Sequence, residues 1–140
     1  MQQTIATASE IAALIPRVQY AVTIAHRKEF EKALKQLETQ LAKCPKLGET
    51  DDMKEHPAMF HYFCGGTDIY ICEFDGKDVM FGFTILNGDL SNSEWGSTSL
   101  LDITSIPAMN IDYYFEEQSI EAALYRSYPN RFKKPASLEK

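Results

Sequence analysis

Apolar positions recur near helical spacing between Val22 and Cys44: Ile24, Phe30, Leu34, Leu37 and Leu41. Lys28, Glu29, Glu31, Lys32, Lys35, Glu38 and Lys43 fill much of the remainder, several of them set for i,i+3 or i,i+4 pairing. The pattern predicts one long amphipathic helix, ended by Pro45 and Gly48. Its heptads are too few for a coiled coil, so the helix is expected to cover a core and turn its charges to water.

From Phe60 the period changes to two. Phe60-His61-Tyr62-Phe63 is aromatic and β-prone. In Thr67 to Phe74, Ile69, Ile71 and Glu73 share one face, and Tyr70, Cys72 and Phe74 share the other. The second set is apolar throughout and is expected to face the core. Val79, Phe81, Phe83 and Ile85 form the apolar set of a return strand, and Asp75-Gly76 between the two runs reads as a type I′ hairpin turn. Asn87-Gly88-Asp89 is a second turn signal, and a weaker strand is expected through Ser93 to Ser97.

The flanks are less regular. Thr7 to Leu14 reads as a short helix with Ser9 as its cap, stopped by Pro16. Residues 1–16 are a candidate loose or docking arm. Leu47 to Pro57 is a polar, acidic connection without the spacing of a calcium loop. Ser99 to Ile103 reads as a short helix, Met109 to Phe115 as a last strand, and Ser119 to Arg126 as a final helix capped by Ser119 or Gln118. A basic tail from Arg131 is expected to be flexible. Together these predict a single α+β domain over 1–140: a small, mainly antiparallel sheet with a long N-terminal helix packed on one face.

Composition narrows the function classes. At 140 residues the chain is one domain's length with room for one core. No apolar run approaches the length of a membrane helix, and the N-terminus lacks a secretory pattern. Three cysteines form no paired framework, as expected for reduced thiols in a cytoplasm. The formal charge of −6 disfavours nucleic acid as a partner.

Candidate chemistry centres on a few residues. Gly65-Gly66 reads as a turn, or as an anion-holding nest. His56, His61 and Cys64 carry zinc-ligand types, with Cys72 on a neighbouring run, but a fourth ligand is not evident. Cys64 is also the better candidate for a Cys–His nucleophile, since Cys72 falls on an apolar face. Asp68, Asp89 and Glu94 sit at strand ends or turns, where solubility and turn chemistry already account for them. Trp95, between Glu94 and Gly96, is an indole in a polar setting, a common interface anchor.

Phe63-Cys64-Gly65-Gly66-Thr67-Asp68-Ile69-Tyr70, Phe81 to Asp89, and Ser93-Glu94-Trp95-Gly96 together resemble the DUF2958-like family of uncharacterised bacterial mobile-element proteins. Asp112-Tyr113-Tyr114-Phe115 followed by Ser119-Ile120 adds to the resemblance, which covers roughly the C-terminal two-thirds and leaves the N-terminal helix outside. It implies a plasmid, phage or integrated-element context and supplies no catalytic residues. The expected function is non-catalytic: an acidic protein that engages a protein partner through Trp95 and Glu94, with Gly65, Gly66 and Asp68 as further binding candidates and no cofactor. The alternatives are a small metal-dependent or Cys/His enzyme around His61 and Cys64, and an acidic mimic of nucleic acid that inhibits a host nuclease.

Overall fold

The computed structural model describes residues 8–139. Five strands form one antiparallel sheet: β1 (Phe60–Cys64), β2 (Thr67–Phe74), β3 (Val79–Ile85), β4 (Glu94–Ser99) and β5 (Asn110–Ile111). Their order is β4-β3-β2-β1-β5, so β4 and β5 are the edges. Helices α1 (Ala8–Leu14), α2 (Arg17–Ala25) and α3 (Glu31–Lys43) precede the sheet, α4 (Leu100–Thr104) follows β4, and α5 (Ile120–Ser127) follows β5. Among the described residues no helix is long and apolar enough to cross a membrane.

The expected long helix from Val22 is two helices joined by a turn at 26–30. The cause is phase. Thr23 is the buried residue of α2, where its hydroxyl donates to the Gln19 carbonyl (2.8 Å) and meets the Tyr113 hydroxyl (2.8 Å). Ala33, Leu37 and Gln40 are the buried residues of α3. Ten residues of unbroken helix would rotate Ala33 by about 280° relative to Thr23, away from the shared core. The turn resets the phase, and Phe30 inside it packs on Tyr113 at 5.5 Å.

Both faces of the sheet are covered, which corrects the expectation of one core face built on Tyr70, Cys72 and Phe74. Ile11, Leu14, Ala33 and Leu37 from the N-terminal helices pack with Phe60, Tyr62, Ile69 and Ile71. On the opposite face Tyr70, Cys72, Phe83 and Ile85 pack beneath Ile120, Ala123 and Leu124 of α5. A bulge lies behind the misassignment. Ile71 pairs with Gly82 but Glu73 pairs with Phe81, so Cys72 is the extra residue. Past it the alternation flips, and Phe74 joins the Ile69–Ile71 layer.

Ser9 lies inside α1 rather than capping it, and the part of the candidate arm that precedes Ala8 lies outside the described residues. Leu14 is fully buried, and its carbonyl accepts from the buried Tyr62 hydroxyl at 2.7 Å. At the other end, Phe132 packs edge-on against Phe83, and Ser137 donates to Glu55 from its amide and its hydroxyl. Asp75-Gly76 does reverse the chain, but over four residues rather than two. The Asp75 carboxylate accepts from the amides of Lys77, Asp78 and Val79, which holds the wider loop. The last strand is also shorter than expected. After Ile111 the Asp112 carboxylate accepts from the Tyr114 amide and bends the chain towards α5, where Ser119 caps the helix as predicted.

Candidate functional site

Cross-strand register puts four residues in one row: His61 opposite Tyr70, Tyr70 opposite Phe83, and Phe83 opposite Trp95. Paired residues of adjacent strands share a face, so this row runs across the α5 side of the sheet. The His61 ring stacks on Tyr70 at 4.5 Å, and Phe83 meets Trp95 edge-on at 5.3 Å. Each end of the row carries a histidine with an acidic partner. His61 Nε2 lies 2.7 Å from Asp68 and its Nδ1 3.3 Å from Asp112. At the other end Trp95 packs on His56 at 4.6 Å, and Glu121 receives the His56 amide (2.8 Å) and faces its Nδ1 (2.7 Å). Strand-like bonds from Ala58 to Gln118 and from Ile120 to His56 bring that helix start beside His56.

Cys64 and Glu94 fall on the opposite face. Cys64 is three residues from His61, so it points the other way and packs against the Ile69–Ile71 layer. Glu94 lies opposite Thr84, which lies opposite Ile69. His61, Cys64 and Glu94 therefore do not converge, and no three His, Cys, Asp or Glu side chains among the described residues are set to hold a metal ion. The space beside His61 is 20 Å³, about one water. Two thiols are held in the neutral form. Burial, reinforced by the neighbouring Cys72 and by Glu73, pushes Cys44 up to about 12. Burial likewise pushes Cys72 up to about 11 against the Thr50 hydroxyl.

Gly65 and Gly66 have a packing explanation. Gly65 has φ +56°, as a tight β1–β2 turn requires. A Cβ on Gly66 would stand 3.1 Å from the Gly88 nitrogen, and its carbonyl accepts from Gly88 at 2.8 Å. A groove of 680 Å³ lies in the helical layer, bounded by Ile11, Ile15, Tyr20, Leu34 and Arg27. None of the sequence-predicted site residues lines it.

The two sheet edges differ, and no sequence motif marks the difference. At β5 the outward groups of Ile111 are both taken by one side chain: Gln19 donates to its carbonyl (3.0 Å) and accepts from its amide (2.7 Å). A carboxamide here replaces the next strand. At β4 the register fixes which groups turn inward. Leu100 donates to the Asp78 carbonyl at 2.8 Å, which makes 78/100 a hydrogen-bonded pair. By alternation Thr98, Gly96 and Glu94 bond to β3, while Ser99, Ser97 and Trp95 turn their amides and carbonyls away from the sheet. Among the described residues nothing takes the outward groups of Trp95 or Ser97. Comparison with protein-family models, with curated proteins and with solved structures returns no match.

Proposed function

We propose that this is a non-catalytic binding protein that engages a protein partner by accepting an extended strand along β4, with Trp95 as its side-chain anchor. The observation that carries this reading is the asymmetry of the edges: β5 is sealed by Gln19, whereas β4 leaves a ladder of backbone donors and acceptors open. Exposed edges are normally blunted by lysine, proline or a bulge. Glu94-Trp95-Gly96-Ser97-Thr98-Ser99 has none of these, and its one charge stands at its end. Trp95 is 36 % exposed at the margin of the row, propped by His56 and Phe83. A rigid indole half out of its packing is a good anchor for an arriving side chain.

The resemblance drawn from the sequence suggests a partner from a mobile element or its host. An enzyme at His61 has less to support it, because Cys64 points to the other face, Cys44 and Cys72 are held neutral, and the space beside His61 fits about one water. Mimicry of nucleic acid is also less well supported. Asp68, Asp75, Asp78, Glu55, Glu73 and Glu121 are each engaged in hydrogen bonds that hold loops, turns or helix starts, so their positions follow the needs of the fold.

The test is affinity capture with wild type, Trp95→Ala and Ser97→Pro, each checked for folding by circular dichroism. The Pro variant deletes one outward amide and leaves the inner ladder intact. Partners retained by wild type and lost from both variants are the expected result. An identical set of retained proteins from all three would overturn the reading.

A further inference from the structure

Resting on that reading, we infer that the strand β4 accepts is β4 of a second copy of the chain, paired antiparallel about a two-fold axis at Ser97. Only Trp95, Ser97 and Ser99 offer outward groups, so a symmetric pairing must match members of that set. Centring it on Ser97 uses all of them: Ser97 faces its own mate, and Trp95 of each copy faces Ser99 of the other. Gly96 then lies opposite Thr98. The seam holds small uncharged side chains and one aromatic at each end, with no steric or charge conflict between directly paired residues.

Two further features favour a second copy. The first is apolar surface. Val79 sits opposite Ser99 within each copy, on the face that carries Phe83 and Trp95, and it is 37 % exposed. In the paired sheet, Trp95 of one copy reaches across the small Ser99 towards Val79 of the other, so two exposed apolar residues cover each other, twice. The second is charge. The molecule is acidic, so self-association needs a seam away from its carboxylates. Glu94, the strand's one charge, lies at the far end of the seam from its mate, about 20 Å away at strand spacing and beyond the screening length at physiological salt. A six-residue strand covers less area than a standard stable interface, so the dimer forms and dissociates with concentration.

Sedimentation velocity over a concentration series of the full chain tests this. A reversible shift from one to two chain masses is expected, and Ser97→Pro should weaken the dimer at least tenfold. Ser97 is exposed, so Ser97→Lys serves as a second variant, opposing two ammonium groups at the axis without disturbing the core. A position-specific readout comes from Ser97→Cys. Directly opposed residues of a hydrogen-bonded pair lie about 5.5 Å apart between Cα atoms, within disulfide range. Mild oxidation should link Cys at 97 to its mate, as mapped by mass spectrometry, and Thr98→Cys should not self-link. One chain mass up to millimolar concentration would overturn the inference, and so would a dimer indifferent to Ser97→Pro and Ser97→Lys or an S97C chain that fails to cross-link. A monomer whose captured partners are still lost in Ser97→Pro would overturn the second copy alone and leave strand addition standing.

Discussion

Glu73 is buried, and among the described residues no lysine or arginine forms an ion pair with it. Burial alone would push its carboxyl up. The Thr50 hydroxyl and the amides of Gly48 (2.8 Å) and Thr50 (3.0 Å) outweigh that, with His56 adding a little, and the group is held below its ordinary value of 4.5. A depressed folded value means that the unfolded chain takes up the proton first as pH falls. The stability contributed by Glu73 is therefore complete well above pH 4.5 and is lost as pH drops through the folded value. Urea midpoints should fall steeply below about pH 4.5 in wild type and less steeply in Glu73→Gln; equal acid slopes would show that the carboxylate is not anchored in this way. Near neutral pH, Thr50→Val removes one charge-assisted donor from a buried acceptor, and it should cost about 1–3 kcal/mol by the same measurement.

Among the elements, β3 is held between its neighbours by a glycine that cannot be replaced. A Cβ on Gly82 would lie 1.8 Å from the Tyr70 carbonyl oxygen, and backbone cannot step aside as a side chain can. Gly96, its partner on β4, has open space at the same position. Gly82→Ala should therefore destabilise by about 3 kcal/mol or more, in the range of severe overpacking, while Gly96→Ala stays within about 0.5 kcal/mol. Thermal melts of the two variants check the pair, and similar losses in both would contradict the packing. The sequence carried the strands themselves, because period-two runs and Asn87-Gly88, both at positive φ, are local signals. It misled where one residue changed the count. The bulge at Cys72 reversed which face Phe74 joins, and the turn at 26–30 broke a helix whose periodicity had a five-residue gap between Ile24 and Phe30. The candidate residues fared similarly. Trp95 was visible as an indole in a polar run, but Gln19 closing β5 lies 92 positions from Ile111, and Glu121 lies 65 from His56. Partners that distant leave no local pattern.

For the molecule as a whole, the sheet is a ribbon with one closed and one open end, and the closed end depends on a single side chain. Gln19 supplies both groups that a sixth strand would have supplied to Ile111, from a helix whose next turn is pinned by Thr23 to Tyr113. Gln19→Ala leaves an amide and a carbonyl of Ile111 without their partner, at a cost of about 1–3 kcal/mol if water does not reach them. It also exposes a second edge. Wild type, with β4 as the one open edge among the described residues, should stop at a closed pair of chains. A chain with two open edges can add a neighbour at each, so β4–β4 and β5–β5 pairings in alternation extend beyond two chains. Gln19→Ala should therefore form species larger than two chains in a sedimentation series, and adding Ser97→Pro should cut these back to single chains or β5-paired dimers. If Gln19→Ala lowered stability yet left the size distribution of wild type unchanged, the carboxamide would be a packing contact only, and the asymmetry of the edges would not govern how the chains meet.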